Sequence, residues 1–531
     1  MAPLRFSGAS VGLLCIEDLP PCLSESCGTG LSACRHCAAA TFLPLPGGHE
    51  LRSFRRVACI LGFLYVGLAL AMAFACLVDF SFGNESAAGF FGPVLLTALF
   101  GLLCILSYAD PEELQLTVRE AFLLTTLSWC TLPIFGALPL LILDISLADA
   151  VFETVSGLTT TGSTVLAGLD GMSEGLLLWR SMLQWLGGVG IIVMAIVLLP
   201  YLRVGGMQLF RTESSDKGDK IFARSGVFMR NLMLAYLGIT SVCAFSYYAA
   251  EMSWFDAINH AFTTVSTGGF STHDASFGFF KNQSTILIAI VFMILGGLPF
   301  ALIIQALRGK PLNLIADEQV RLLVAILVLV SLATAIYLRL AQDMPLGQSL
   351  LVAAFNYASI ITTTGYAYGD YSLWGAPVVA AVLLLTFFGG CTGSTSGGIK
   401  MLRFLVLWRS LTQLFRVMVR PRRISAIRFN GAAVSIDVRH SIALFVVTYL
   451  FLVALLGLAL TGFGLDMVTA FTGAAQAVGN VGPGLGEIIG PAGNFASLPD
   501  GAKWLLSFGM LLGRLEIFTV LVVLDPAFWS E

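Results

Sequence analysis

The chain has 531 residues, of which 57% are hydrophobic and only 11% charged, and its mean hydropathy is +0.87. Soluble domains carry about 25% charged residues, so this composition excludes a soluble globular protein, and its hydrophobicity excludes extended disorder over most of the chain. A net charge of −3 gives no basic field for nucleic acid, which leaves a polytopic α-helical membrane protein with about 20 apolar residues per crossing.

Residues 1–51 stand apart as an N-terminal extension. They hold Cys15, Cys22, Cys27, Cys34 and Cys37, five of the eleven cysteines. Cys34 to Cys37 is a lone C-x-x-C with no second pair, which is too little for a zinc site. No long apolar run follows a basic start, as a signal peptide requires. The stretch reads as a disordered cytoplasmic tail. The other cysteines mostly lie in apolar runs, as small buried hydrophobes.

Apolar runs at about 57–79 and 91–108 make a two-helix region over 52–118. A pattern then recurs four times: a long apolar helix, a short segment ending in Thr, Ser or Gly, and a second long helix. The first unit, 119–225, has helices near 120–143 and 176–202 around a segment at 148–166. The second, 226–318, has 227–250 and 284–306 around 253–272. The third, 319–430, has 321–341 and 375–408 around 347–367. The fourth, 431–531, has 438–461 and 502–524 around 465–485. The reading is all-α and integral to the membrane, with ten full crossings and four re-entrant segments in a pseudo-fourfold arrangement around one pore.

Charge sets the orientation. With that span count, Arg52, Arg55, Arg56, the cations between 203 and 224, Arg308, Lys310, Arg321 and the arginines from Arg409 to Arg439 share one side. Asp79, Glu85, Asp144, Asp149, Asp256, Asp274, Asp343, Asp370, Asp466 and Glu487 share the other. The basic side is cytoplasmic. This predicts a multi-pass protein of the cytoplasmic (inner) membrane, embedded in lipid, with both termini inside. The run Arg420-Pro421-Arg422-Arg423 is either part of that basic anchor or a docking surface for a cytoplasmic partner.

The four short segments align on glycine: Thr159-Thr160-Thr161-Gly162-Ser163, Val265-Ser266-Thr267-Gly268-Gly269, Thr362-Thr363-Thr364-Gly365-Tyr366 and Gly479-Asn480-Val481-Gly482-Pro483. The second helices align as well, at Gly187-Gly188, Gly296-Gly297, Gly389-Gly390 and Gly513-Arg514. Non-helical backbone is tolerated at membrane depth only when it is buried or lines a water-filled cavity. A short helix entering from outside brings its partly negative C-terminal end to the membrane centre. Four such ends suit a cation, with carbonyl oxygens before each glycine replacing its hydration shell. The candidate cation-binding filter is therefore Thr160, Thr161, Gly162, Thr267, Gly268, Thr364, Gly365, Val481 and Gly482. Asp149, Asp256 and Asp466 are expected to cap three of the short helices.

Two irregularities lie in the second helices. Gly389 to Gly398 contain five glycines in ten residues. At about 1 kcal/mol per glycine against alanine, that stretch breaks its helix into an intramembrane loop. It is no nucleotide-phosphate loop, because the Gly-Lys-Ser/Thr ending is absent. Arg514 lies mid-helix, where an arginine costs about 2.5–3.5 kcal/mol, and is read as facing the pore. Glu516, two residues on, points to a different face.

The motifs Thr160-Thr161-Gly162-Ser163-Thr164, Asn259 through Phe270, Thr362 through Tyr366 and Gly479 through Pro483 resemble those of the TrkH/KtrB potassium-uptake family. The two initial helices make the chain more similar to the TrkH type. The resemblance covers residue 52 to the end. It implies a single-chain pore for K+ as the transported ion, pairing into a homodimer, and a separate cytoplasmic nucleotide-binding subunit, TrkA. It implies that Gly389, Gly390, Gly393, Ser394, Thr395, Gly397, Gly398 and Lys400 belong to a gating loop under the filter, with Arg514 a positive barrier beside it. Glycine rather than serine at Gly162 implies potassium preference.

Two rival functions are weaker. A transporter coupling potassium to protons or sodium usually shows inverted repeats and intramembrane acids or histidines, and these repeats all enter from one side. His260 and His273 are the only histidines near a pore segment. An enzyme is not expected: His36, His49, His260, His273 and His440 form no metal-ligand spacing, and no G-x-S-x-G or Walker sequence occurs.

Overall fold

The computed structural model describes residues 48–107, 116–198, 221–421 and 426–529. The cysteine-rich stretch and the Arg422-Arg423 pair lie outside the described residues. Helices α1 (Gly48–Ser81) and α2 (Ala87–Leu106) come first. The first unit follows as α3 (Val118–Ala137), α4 (Leu147–Leu158) and α5 (Glu174–Leu198). The second is α6 (Ile221–Ala249), α7 (Trp254–Val265), α8 (Gln283–Gly296) and α9 (Phe300–Leu307), with a short α10 (Pro311–Ala316) behind it. The third is α11 (Glu318–Ala341), α12 (Leu346–Ile361), α13 (Ala376–Leu385) and α14 (Met401–Val419). A small hairpin pairing Arg428–Phe429 with Ala432–Ala433 leads to the fourth: α15 (Ile436–Thr461), α16 (Met467–Gly479), α17 (Asp500–Arg514), α18 (Phe518–Leu524) and the terminal α19 (Pro526–Trp529).

Among the described residues, seven helices are long and apolar enough to cross a membrane, and nine crossings result if two bent pairs each count as one. The expected crossing at 375–408 is α13 and α14, parted by the glycine-rich stretch. Two helices expected to run through are also broken. The helix expected at 284–306 turns by 107° between α8 and α9, and the one at 502–524 turns by 107° between α17 and α18. Pro299 has no N–H to continue the first. At the second, Glu516 and Ile517 take φ of 58° and 40°, a left-handed turn that no α-helix passes through.

The short helices α4, α7 and α16 begin beside Asp149, Asp256 and Asp466, and α12 follows Pro345, with one difference from expectation. The caps of α4 and α7 are Ser146 and Ser253, whose hydroxyls accept from the N–H groups of Asp149 and Asp256, each at 3.0 Å. Asp466 caps α16 directly, accepting from Thr469 N at 3.0 Å. Serine wins because the cap position lies three residues before each aspartate, where its short side chain reaches back to that N–H.

Two large apolar clusters flank the centre. One joins the first and fourth units through Phe152, Trp179, Leu183, Ala474, Leu506 and Met510. The other joins the second and third through Tyr236, Met293, Phe355, Val378 and Val382. Lipid is as apolar as these side chains, so dispersion and close fit hold them together rather than exclusion of water. Gly513 shows the fit: a methyl group there would overlap the Val478 carbonyl at the end of α16.

Candidate ion path

Each short helix ends in the same turn. Thr160, Thr267, Thr363 and Asn480 take φ of 52°, 54°, 55° and 51°. Their N–H groups donate three residues back, to Gly157, Thr264, Ile360 and Ala477, at 2.9–3.2 Å. The next N–H, of Thr161, Gly268, Thr364 and Val481, donates five back, to Ser156, Thr263, Ser359 and Gln476, at 2.7–3.0 Å. This pair of hydrogen bonds is the Schellman helix end, which ordinarily uses glycine at its left-handed position. Threonine there costs about 1–3 kcal/mol per residue and persists only where the surroundings hold it.

One residue further on, Gly162, Gly269, Gly365 and Gly482 take φ of 88°, 82°, 84° and 105°. The second loop is thus one residue later than the sequence alignment expects: Gly269, not Gly268, is the counterpart of Gly162. The reason is Gln184. Its Nε2 donates to Gly268 O at 2.6 Å and its Oε1 accepts from Phe270 N at 3.0 Å, and any β-carbon on residue 268 would collide with its amide. Two adjacent glycines serve two different purposes, which a sequence alignment cannot tell apart.

These glycines meet in a ring. A side chain on Gly162 would strike the Gly268 carbonyl oxygen, one on Gly269 that of Thr364, one on Gly365 that of Val481, and one on Gly482 that of Thr161. The contacts run from first unit to second, third, fourth and back to the first. The carbonyls of Thr161, Thr364 and Val481 take no hydrogen bond from the described residues. A cavity of about 260 Å³ has all four ring glycines in its wall, together with Arg180, His273 and Asp274.

Side chains behind the ring lock it. The Thr159 and Thr362 hydroxyls donate to Val155 O and Ala358 O at 2.7 and 2.6 Å. Each must therefore accept from the Thr161 or Thr364 hydroxyl, 2.7 and 2.8 Å away. Asn480 Nδ2 donates to Thr161 Oγ1 at 3.0 Å, and Ser163 Oγ donates to Gly482 O at 2.8 Å, tying the first unit to the fourth. Tyr366 OH meets Thr263 Oγ1 at 2.5 Å and Thr264 Oγ1 at 3.1 Å, tying the third to the second. Arg180 and Glu153, both buried, pair at 2.9 Å, and Arg180 also donates to Ser271 O at 3.0 Å. His260 Nδ1 donates to Asp256 O at 2.8 Å and Nε2 lies 3.0 Å from Ser271 Oγ, so both ring nitrogens are engaged in holding the second loop.

At the cavity wall, His273 Nδ1 lies 2.5 Å from Asp170 Oδ1 and Nε2 lies 3.4 Å from Asp256 Oδ1. Burial opposes its charge, but the hydrogen bonds and charges of Asp256 and Asp170 outweigh burial and raise its pKa. The His273 hydrogen bond is the largest cause that lowers the Asp170 pKa. The imidazole stacks on Phe279 at 3.5 Å.

The glycine-rich loop leaves and returns through a narrow neck, where Gly389 N donates to Ile399 O at 2.9 Å and Ile399 N to Phe387 O at 3.2 Å. It rests on the break between α8 and α9. Cys391 N donates to Gly297 O at 2.8 Å, Thr395 N to Gly296 O at 3.3 Å, and Phe300 N to Gly393 O at 3.0 Å. Gly390 leaves no room for a side chain against Gly297 O and Ser396, and Gly397 none against Gly479 O. The Ser394 hydroxyl donates to Cys391 O at 2.7 Å, and Gly393 and Gly398 take φ of 83° and 65°. From beneath, Lys400 Nζ donates to Ser396 O and Arg514 Nη1 donates to Thr395 O at 2.8 Å. Arg514 is 3% exposed, and its Nε and Nη2 have no hydrogen-bond partner among the described residues. Glu516 pairs with Arg403 of α14 instead.

A family model described as TrkH, cation transport protein, matches residues 90–530. The chain belongs to the TrkH family. It is 46% identical to the Trk system potassium uptake protein TrkI of Halomonas elongata, over 91% of this chain and 98% of that one. It is 35% identical to the Trk system potassium uptake protein TrkH of Escherichia coli K12, over 90% of this chain and 100% of that one. The crystal structure of the potassium transporter TrkH from Vibrio parahaemolyticus superposes with a TM-score of 0.82 at 34% identity, covering 90% of this chain and all of that one. The TrkH family read from the four motifs is therefore the family of the chain, and it is a transport family rather than an enzyme family.

Sequence reasoning missed Gly269, Gln184, Thr363 and Asn480 as members of this TrkH-family centre. The paired glycines at 268 and 269 were the one visible signal. Gln184 gave none, being one amide in an apolar helix.

Proposed function

We propose that the chain is the ion-translocating subunit of a Trk-type potassium uptake system in the cytoplasmic membrane. The observation that carries this reading is the ring of glycines and carbonyls under an open cavity. Three unpaired carbonyls and the Gly268 carbonyl present partial negative charge where four short helices also end, an arrangement that suits a dehydrated monovalent cation. The filter is built from Thr160, Thr161, Gly162, Thr267, Gly268, Gly269, Thr364, Gly365, Val481 and Gly482. The glycine-rich loop, held by Arg514 and Lys400, is the gate. The names of the relatives support potassium as the ion. A cytoplasmic nucleotide-binding subunit of the TrkA kind and a second copy of the chain complete the system, docked on the basic side.

The test is growth of a potassium-uptake-deficient strain at limiting potassium, comparing wild type with Gly162→Ser and Gly365→Ser. Wild type restores growth and both variants fail. Equal rescue by all three overturns the filter assignment.

A further inference from the structure

The gating loop and the filter are separate in sequence, yet they share hydrogen bonds. Gly397 N donates to Thr363 Oγ1 at 2.7 Å. Thr395 Oγ1 lies 3.1 Å from Thr267 Oγ1, and 3.2 and 3.1 Å from the carbonyls of Val265 and Gly296. Thr363 and Thr267 are two of the residues held at positive φ in the turn that ends each short helix. All four hydrogen-bonding residues are buried.

At two of these positions the contacts use a hydroxyl that the favoured glycine would lack. Glycine would adopt the turn without strain, but it offers no hydroxyl. In the first loop Thr160 Oγ1 has no hydrogen-bond partner among the described residues, and there the glycine-rich loop makes no such bond. In the second and third loops the hydroxyl meets that loop. The loop thus hangs from two filter strands at the residues that set the left-handed turn, while Arg514 holds the Thr395 carbonyl on its other side.

We propose that Thr267 and Thr363 couple gate to filter: the loop cannot withdraw from the path without releasing both hydroxyls, so gate position and filter geometry change together. This rests on the filter and gate reading above. A loop that merely blocks the path predicts selectivity independent of gating. A loop bonded to the filter predicts that loosening the tie alters both.

The experiment uses the full chain in proteoliposomes without any nucleotide-binding subunit, measuring potassium flux and the rubidium-to-potassium permeability ratio. Thr363→Val keeps the branched shape and removes the hydroxyl. It is expected to raise basal flux roughly fivefold, the effect of one buried hydrogen bond, and to shift the permeability ratio. Thr363→Ser restores both. Thr267→Val is the second variant, should Thr363→Val fail to fold, and is expected to act in the same direction. Wild-type flux and ratio in a folded valine variant overturn the coupling, as does raised flux with an unchanged ratio. Gly365→Ser is run alongside: if it changes selectivity while the valine variants do not, only the coupling fails. If it also leaves selectivity intact, the filter reading itself has failed.

Discussion

Arg514 Nη1 donates to the carbonyl oxygen of Thr395 at 2.8 Å, so the one arginine of α17 and the glycine-rich loop of the third unit form a single structure. The arginine is buried, with Nε and Nη2 lacking a hydrogen-bond partner among the described residues. Buried arginines inside a membrane protein are costly and commonly functional. Under the proposed function, Arg514 holds the loop in place and puts positive charge below the filter. Arg514→Ala removes both effects. Potassium flux without any activating subunit is expected to rise roughly tenfold or more, the loss of one charge-assisted hydrogen bond. Arg514→Lys keeps the charge without the guanidinium fork and should fall between. Unchanged basal flux in Arg514→Ala would count against this role.

The two adjacent glycines of the second loop can be separated by mutation. A β-carbon at Gly269 meets the Thr364 carbonyl, a backbone atom with nowhere to go; one at Gly268 meets the Gln184 side chain. Gly269→Ala is therefore expected to abolish growth at limiting potassium. Gly268→Ala should impair growth and be partly restored by Gln184→Ala, which clears the space. Growth assays on the four strains decide it. Restoration of Gly269→Ala by the same second change would show that the register is wrong.

That register marks where the sequence was legible and where it was not. Composition and fourfold recurrence gave the helices and the short segments, because each repeats a strong local signal, and the motifs at the ends of those segments carried the resemblance to the family. The broken helix at Gly389–Gly398 was legible because five glycines cannot hold a helix. The breaks at Gly297–Pro299 and Leu515–Ile517 were not. One proline after two glycines looks like ordinary packing, and Glu516 and Ile517 carry no turn residue at all. Their left-handed turn is imposed from outside, by the Arg403–Glu516 pair and by packing around Ile517, which is 1% exposed. Gln184 and Asn480 were invisible for the same reason: their partners lie in other units, 84 and 319 residues away.

The Arg403–Glu516 pair supports a further test. Arg403 lies 3.6 Å from the Phe445 ring centroid, joining α14, α15 and the α17–α18 break. Removing one partner of a buried pair leaves a buried charge and costs about 3–5 kcal/mol; Glu516 is partly exposed, so the lower end applies. Glu516→Gln should lower the melting temperature in detergent and raise basal flux, because the break also carries Arg514. Exchanging the two residues should restore melting temperature in part. A Glu516→Gln variant as stable as wild type would mean that packing alone holds the turn.

The cavity wall at His273 predicts a pH dependence. His273 faces Asp170 of the first unit, Asp256 at the start of α7, neighbouring Asp274 and, on α7, His260. Its pKa is raised in the folded protein, so its contribution is complete below the ordinary histidine value of about 6.5 and is lost as pH rises through the higher folded value. Asp170 is shifted the other way, so its contribution is present above its ordinary value and lost as pH falls through the lowered one. Between these limits the ion pair ties loops of two units beside the cavity. Melting temperature in detergent should fall as pH is raised from about 6 to about 9, and that slope should be shallower in His273→Gln. Asp170→Asn should also flatten the slope while retaining some stability through the remaining Asp256 contact. Parallel slopes in wild type and His273→Gln would remove the histidine from the account, leaving that wall held by Leu169 N and Asp274, which are bonded at 3.1 Å and independent of the imidazole.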